Sequence, residues 1–228
     1  MEQRHFDKEL QSLKEKLLLM AARTEALINQ AIESLKKRDP KLAEDIFRLD
    51  KEIDGMEVEI EEQAIALIAL HQPTAGDLRF LVGAIKINND LERIGDHGVN
   101  IAESAIRLSL EPTIKPLIDI PRMAALATGM LKDSLDSFVN SYPDKARVVC
   151  SRDDQVDDLK DQIFRELLTY MMEKPDTITR AMDLILVSRN LERIADLSTN
   201  ICEETIYIAE AKVIKHHADE AQQYPTVD

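Results

Sequence analysis

The chain has no tryptophan, only 4% aromatic residues and six glycines among its 228 residues. A core without many large aromatic side chains must be built from aliphatic residues and methionine, and scarce glycine leaves long helices uninterrupted. The eight prolines stand at the ends of apolar-periodic segments, where they separate helices instead of breaking them. These features predict an all-α protein.

Cysteine and positive charge are also in short supply. Cys150 and Cys202 are the two cysteines, without a CxxC spacing, so the chain has no disulfide framework and a reducing compartment is favoured. A net charge of -14 argues against duplex nucleic acid and anionic membranes as partners. Residues 1–7 are charged and unlike a signal peptide, and the longest apolar run, 64–70, cannot span a bilayer. We therefore expect a cytoplasmic protein.

A long internal repeat is the strongest pattern in the sequence. Residues 91–103 recur at 191–203, with eight of the thirteen positions identical. Both copies contain Leu-Glu-Arg-Ile-x-Asp and continue to Asn-Ile-x-Glu. The repeat predicts a tandem duplication, with one unit at 1–113 and the other at 114–228, the second carrying a frayed C-terminal tail.

Apolar periodicity and proline positions divide the chain into six long helices. In the first unit Asp39 is a predicted N-cap and Pro40 the first helical residue. Short connections between long helices favour antiparallel neighbours, so the predicted fold is two tandem three-helix bundles related by internal pseudo-symmetry. The helices are expected at about 6–38, 40–71, 74–108, 120–138, 144–173 and 176–216.

Each unit carries acidic ladders on two neighbouring helices. On a helical wheel Glu92, Asp96, Asn100 and Glu103 fall within about 80° of one another, away from the apolar face. The preceding helix places Asp50, Asp54, Glu57 and Glu61 on one face, and antiparallel pairing would gather both ladders. The corresponding residues of the second unit are Asp153, Asp157, Glu192, Asp196 and Asn200.

Such a concentration of carboxylates is typical of a cation site, although an ordinary solvated helix face shows the same pattern. Like charges four residues apart destabilise a helix, and a bound cation would relieve their repulsion. Oxygen ligands without thiolate or imidazole select Mg, Ca, Mn or iron in an oxo-bridged cluster. The one Glu-x-x-His of the chain, at residues 2–5, lies outside both ladders, whereas oxygen-activating di-iron bundles place such pairs among their metal ligands.

Several motifs resemble the PhoU family. They are Gln-Pro-x-Ala-x-Asp-Leu-Arg at 72–79, the acidic segment 56–62, and the doubled Leu-Glu-Arg-Ile-x-Asp at 91–96 and 191–196. Segment 168–172 is also similar, so the resemblance covers nearly the whole chain. It implies two three-helix bundles and a cytoplasmic negative regulator of phosphate uptake and phosphate-starvation signalling.

The resemblance further implies partners and cofactors. The partners are the ATPase of the phosphate ABC transporter and the sensor histidine kinase of the phosphate two-component system, and we expect a homodimer. Some family members carry multinuclear metal clusters, so iron clusters are expected first, with Mn, Mg or Ca as alternatives. By position the ligand pairs are Asp50/Asp54 with Glu92/Asp96, and Asp153/Asp157 with Glu192/Asp196. Lys160 stands where the first unit has Glu57, which predicts a weaker second site.

The leading hypothesis is a non-enzymatic regulator that binds metal ions at these acidic sites. Phosphate would reach an acidic stripe only as a ligand bridging bound metal, because the bare carboxylates repel it. Two alternatives stay open. One is a metal-dependent carboxylate-site hydrolase, which needs an open coordination position and a general base. The other is a purely structural helical adaptor with solvated acidic faces.

Overall fold

The structure is a computed structural model that describes residues 2–214, with side chains from His5 onward. This part of the chain is all-α, as predicted. Its seven α-helices and one 3-10 turn (175–177) follow in order: α1 Glu2–Lys37, α2 Pro40–His71, α3 Ala75–Ser109, α4 Asp119–Asn140, α5 Pro143–Cys150, α6 Asp153–Glu173 and α7 Ile178–Glu210.

Local chemistry sets the ends of α2 where the sequence indicated them. The Asp39 carboxylate accepts a hydrogen bond from the Lys41 amide at 3.0 Å, and Pro40 fits the first turn because its nitrogen needs no acceptor. At the other end Gln72 adopts a left-handed conformation with φ of 46°, and its amide donates to the Ile68 carbonyl. The predicted N-cap and the predicted stop are both confirmed.

The prediction of a single fifth helix over 144–173 is wrong. The structure divides this segment into α5 and α6, with a turn at Ser151 and Arg152. The turn is closed by the Ser151 and Arg152 amides, which donate to the Arg147 and Val149 carbonyls. The Arg152 guanidinium then donates to Asp133 on α4 at 2.6 Å. The break therefore rests on a contact with another helix, which local sequence does not reveal.

The sixth predicted helix also ends early. It corresponds to α7, which stops at Glu210, where Ala211 adopts a left-handed conformation with φ of 58°. The predicted end at residue 216 lies outside the described residues.

The packing follows the two-bundle plan. Helices α1, α2 and α3 pack against one another, and α7 packs against α4, α5 and α6. Helices α3 and α7, which carry the repeated motif, also pack together, and the buried aliphatic residues of both bundles form one continuous core. The boundary between residues 113 and 114 stays a prediction.

Helices α3 and α7 run antiparallel, because residues with increasing numbers along α3 contact residues with decreasing numbers along α7. Near one end of the contact the Lys86 ammonium donates to the Glu204 carboxylate at 3.0 Å, and near the other the Arg107 guanidinium donates to Asp183 at 2.8 Å. The Glu204 and Asp183 side chains are almost fully enclosed, at 2% and 11% exposure. Enclosed carboxylates with cationic partners fix the register of the two bundles.

Within residues 2–214, none of the helices combines the length and the apolar character that crossing a bilayer would require.

Candidate functional site: two carboxylate clusters

Close packing of α2 against α3 brings the acidic ladders of the first bundle together. The Asn88 side chain on α3 donates to the Glu57 carbonyl on α2 at 2.8 Å. Seven residues along α3, Gly95 faces α2 so closely that an added methyl would lie 3.8 Å from an Asp50 carboxylate oxygen. We call the resulting group the first carboxylate cluster: Asp50, Asp54, Glu57, Glu92 and Asp96.

The carboxylates of this cluster repel one another. Partial burial raises the pKa of Asp50, and the charges of Asp54 and Asp96 raise it further. Burial raises the pKa of Glu92 as well, followed by the charges of Asp96, Asp54, Glu57 and Asp50. Glu57 has a raised pKa through burial and through Glu61 and Asp54. Because charges from both helices act on Glu92, the predicted meeting of the two ladders is present in the first bundle.

Nothing within the described chain neutralises the first cluster. Salt bridges and side-chain hydrogen bonds in residues 5–214 reach none of its five carboxylates. Arg93, the neighbouring arginine on α3, instead lies 3.7 Å from Asp90, on another side of the helix. The cluster therefore holds a strong negative potential that favours an external cation.

The second bundle repeats the arrangement with Asp153, Asp157, Glu192 and Asp196, here called the second carboxylate cluster. Burial raises the pKa of Asp153 to about 6, with further contributions from the charges of Asp196, Asp157, Asp154 and Glu192. The pKa of Asp196 is raised by burial and by Glu192, although Arg193 opposes the shift. Contacts between α6 and α7 thus gather these side chains much as α2 and α3 do.

Two cations of the protein itself enter the second cluster. The Lys160 ammonium donates to Asp157 at 2.7 Å and to Glu192 at 3.4 Å. The Arg193 guanidinium donates to Asp196 at 2.7 Å and lies 3.6 Å from Glu192. The repeat has Glu57 in place of Lys160, so the two clusters differ in charge as well as in sequence. The second cluster therefore has a less negative potential than the first.

The two asparagines of the repeat lie in grooves between α3 and α7. Asn100 shares its groove with His97 and Arg107, and Asn200 shares another with Glu57 and Glu61. His97 donates from its Nδ1 to the Asn190 side-chain oxygen at 2.9 Å, so it links the bundles and stands apart from the carboxylates. The ladder of the third predicted helix therefore serves two surfaces, a cluster facing α2 and a groove facing α7.

The donor set fits a hard cation in kind. All ligands of the first cluster are carboxylate oxygens, which suit Mg, Ca, Mn or iron. The side-chain oxygens of the cluster are not arranged around a common metal position, however. Across residues 5–214 no three histidine, cysteine, aspartate or glutamate side chains stand close enough to hold one ion. Exposed carboxylates such as Asp54 and Asp96 must therefore rotate inward for a cation to be bound.

Sequence reasoning missed the pairing of α3 with α7 and the polar residues inside it. Asp183 and Glu204 are buried, and they hold Arg107 and Lys86 across the interface. One signal was available, since α3 and α7 carry small residues on several sides. A side chain at Gly83, for example, would clash with Ile208 of α7 at 2.5 Å. Small residues on more than one face indicate a helix that packs on more than one side.

The raised pKa of Asp153 predicts a stability change with pH. A carboxyl whose pKa rises from 3.8 to about 6 on folding binds more protons in the native state between those values, so stability falls as pH rises through that window. We expect Asp153→Asn to stabilise the metal-free protein at pH 7 by about 1 kcal/mol, after discounting the shift for solvent screening, and to have no effect near pH 3.

Urea unfolding of both proteins across this pH range measures the difference. Asp158→Asn is the control, because Asp158 is an exposed residue of the same helix without an ion pair among the described residues, and it should change stability by less than about 0.5 kcal/mol throughout. A gap between Asp153→Asn and the wild type that stays constant with pH would contradict the prediction.

The chain is thus an all-α protein of two tandem helical bundles related by a repeat. Each bundle has a carboxylate cluster between the helix that carries the repeated motif and a neighbouring helix. A profile of the PhoU domain matches the chain twice, at 17–105 and 120–205. A protein of Aquifex aeolicus named as a phosphate-specific transport system accessory protein PhoU homolog is 45% identical over 209 residues, covering 92% of this chain and 95% of that protein. The chain therefore belongs to the PhoU domain family.

Solved structures of relatives have the same fold. The crystal structure of PhoU from Pseudomonas aeruginosa superposes with a TM-score of 0.89 at 35% identity, over 91% of this chain and all of that one. The phosphate transport system regulatory protein PhoU from Streptococcus pneumoniae gives a TM-score of 0.85 at 27% identity, over 92% of this chain and 99% of that one. The predicted family and the predicted fold class are both confirmed.

Proposed function

We propose that this chain is an accessory protein of a phosphate transport system, and that it acts in the cytoplasm as a negative regulator of phosphate uptake and phosphate-starvation signalling. The observation that carries the proposal is the nearly full-length similarity to relatives named as accessory or regulatory proteins of that system. Similarity over whole lengths, and not over one motif, supports a shared role for the complete double bundle.

Metal binding is the second part of the proposal. The first carboxylate cluster binds one or more cations, with iron clusters expected first and Mn, Mg or Ca as alternatives. Its support is electrostatic: burial and mutual repulsion raise the pKa values of Asp50, Glu57 and Glu92, and no salt bridge among the described residues offsets them. The second cluster binds more weakly, because Lys160 and Arg193 already occupy part of it.

The proposed partners are the transporter ATPase and the sensor histidine kinase, with the chain itself as a homodimer. Apolar side chains on the outer faces of α6 and α7 supply contact area for such docking. Phe164, Met172 and Met182 are 47%, 77% and 47% exposed. Phe164 and Met172 share one face of α6 with the exposed Leu168, because the three follow at four-residue spacing, and exposed apolar residues on one face are typical of protein interaction surfaces.

We also propose that the chain is not an enzyme. The relatives described above are named for accessory and regulatory roles, and so is the solved structure from Streptococcus pneumoniae. The metal-dependent hydrolase and the purely structural adaptor remain the alternatives. Turnover of phosphoesters with Mn or Mg would reveal the hydrolase. Absence of bound metal, together with full function of an Asp96→Ala/Asp196→Ala variant, would favour the structural adaptor.

A starvation reporter tests the regulatory role. In a bacterium lacking its own relative, a phosphate-starvation promoter should be active even at high phosphate. We expect this chain to restore repression by about tenfold or more, which corresponds to a coupling free energy in the usual range for regulation. Asp96→Ala/Asp196→Ala, which removes one carboxylate from each cluster, should lose most of the repression at equal protein level.

Pull-down with the ATPase and the kinase, with and without chelator, separates the two parts of the proposal. Capture that chelator abolishes supports metal-dependent docking. If capture is the same with and without chelator, the regulatory role is supported and metal is not required for docking. An unrepressed reporter in cells that contain folded wild-type protein would refute the regulatory role itself.

A further inference from the structure

The α3–α7 interface contains two grooves that the repeat relates to each other. One, here the basic groove, is formed by His97, Asn100, Ser104 and Arg107 of α3 with Arg189 and Arg193 of α7, and has a volume of about 460 Å³. The other, here the acidic groove, is lined by Lys86 and Asp90 of α3, Glu204 of α7, and Glu57 and Glu61 of α2. The α3 residues that line one groove correspond, one hundred residues later in the sequence, to the α7 residues that line the other.

The two grooves have opposite charge. Glu103 is the single carboxylate in the lining of the basic groove, against three arginines. The acidic groove has four carboxylates against one lysine in its lining. Substitutions between the repeats account for the contrast, because Arg189 corresponds to Asn89, Arg107 to Tyr207 and Ser104 to Glu204. Divergence of the two repeats has therefore made the lining of one related groove basic and that of the other acidic.

Hydrogen-bond donors in the basic groove are held in place but not exhausted. Arg107 is fixed by its bond to Asp183 at 2.8 Å and by a second bond to the Ser104 hydroxyl at 3.0 Å, and its other terminal nitrogen lies 3.9 Å from the Glu103 carboxylate. Arg193 is anchored on Asp196, at the edge of the second carboxylate cluster. Arg189 forms no salt bridge or hydrogen bond within the described chain, so its guanidinium donors are free to meet a ligand.

We propose that the basic groove is a binding site for a phosphate-type oxyanion, with Arg189 and Arg107 as its principal donors. Planar guanidinium groups donate paired hydrogen bonds to tetrahedral oxyanions, and the Asn100 amide adds a neutral donor. The groove volume lies in the range of roughly 300–1,000 Å³ usual for small-molecule sites, so the oxyanion can be inorganic phosphate or the phosphate of a larger molecule. The second carboxylate cluster touches this site only through Arg193, and metal binding is not required for it.

Calorimetric titration of inorganic phosphate into chelator-treated protein tests the proposal. Arg189→Gln should weaken phosphate binding by about tenfold or more, since charge-assisted hydrogen bonds are lost. Lys132→Gln is the matched control: Lys132 is exposed on α4, and its loss changes the net charge equally. This control should leave the affinity within about twofold, as long-range charge is screened by salt. Arg193 is left intact, because its loss would also disturb the second carboxylate cluster.

Separate titrations with ATP and with chloride at constant ionic strength identify the ligand class. Binding of phosphate that Arg189→Gln weakens and Lys132→Gln does not supports the proposal. ATP binding with the same dependence on Arg189, but without binding of free phosphate, also supports it and identifies a phosphorylated molecule as the source. Equal affinity of both variants, competition by chloride at the same concentration as phosphate, or no binding of either phosphate compound would overturn it.

Discussion

Metal-free protein at pH 7 should gain about 2.7 kcal/mol of unfolding free energy when Mn²⁺ is present at 100 times its dissociation constant. For a chain of this size the thermal midpoint then rises by roughly 5–10 °C. The reason is that a cation bound only by the folded state offsets the burial and the mutual repulsion that raise the pKa values of Asp50 and Glu92. At pH 5 most of the gain should disappear, because protons compete with the metal for the same oxygens.

Substitutions in the two clusters should reduce the stabilisation by Mn²⁺ to different extents. Asp50→Asn/Asp96→Asn removes two ligands of the first cluster, and we expect it to lose most of the stabilisation by Mn²⁺ while making the metal-free protein more stable. Asp157→Asn/Asp196→Asn should lose less, since Lys160 and Arg193 already compensate part of the second cluster. Thermal unfolding with and without Mn²⁺ measures each share.

Lys160→Glu provides the opposite test, because it restores the residue type that the first unit has at Glu57. We expect the metal-free variant to be less stable than the wild type and its stabilisation by Mn²⁺ to be larger. Lys132→Glu, with the same change of charge at an exposed position of α4, controls for net charge. If Mn²⁺ stabilised all of these proteins equally, the carboxylate clusters would not be the binding sites.

The first carboxylate cluster could be anticipated because it depends on regular geometry alone. Helical spacing places Asp50 and Asp54 on one face of α2, and antiparallel pairing with α3 follows from the short connection at 72–74. Repulsion between these residues and Glu92 was then a consequence of packing two long helices together. The same reasoning applied to the second bundle, where Asp153 meets Glu192 and Asp196.

The basic groove and the break between α5 and α6 depend on contacts between distant segments. Arg152 donates to Asp133 of α4, and Arg107 donates to Asp183 of α7. The residues next to these arginines in the sequence do not indicate either partner. Neither proline nor glycine marks the break at Ser151. Features that rest on such tertiary contacts are beyond periodicity and spacing, even where the repeat makes the overall plan plain.

Ile53→Ala should cost about 2–5 kcal/mol of unfolding free energy, the usual range for removing a large aliphatic side chain from a packed core. Ile53 is fully buried on α2. Its side chain lies against Gly95 of α3, where an added methyl would be 3.6 Å from the Ile53 terminal carbon. Ile53→Val should cost only about 0.5–1.5 kcal/mol, and Ile65→Ala, on an exposed part of the same helix, less than about 0.5 kcal/mol. Denaturant unfolding gives all three values.

The substitution also tests how the core positions the candidate site. Asp50 and Asp54 flank Ile53 on α2, so a cavity between α2 and Gly95 loosens the spacing that lets these carboxylates act on Glu92. In Ile53→Ala we therefore expect the pKa of Glu92, followed by carboxyl NMR, to move down toward its ordinary value, whereas Ile53→Val should leave it raised. A large loss of stability with an unchanged Glu92 pKa would show that the contact of α2 with α3 holds the fold together without setting the distance between the two acidic ladders.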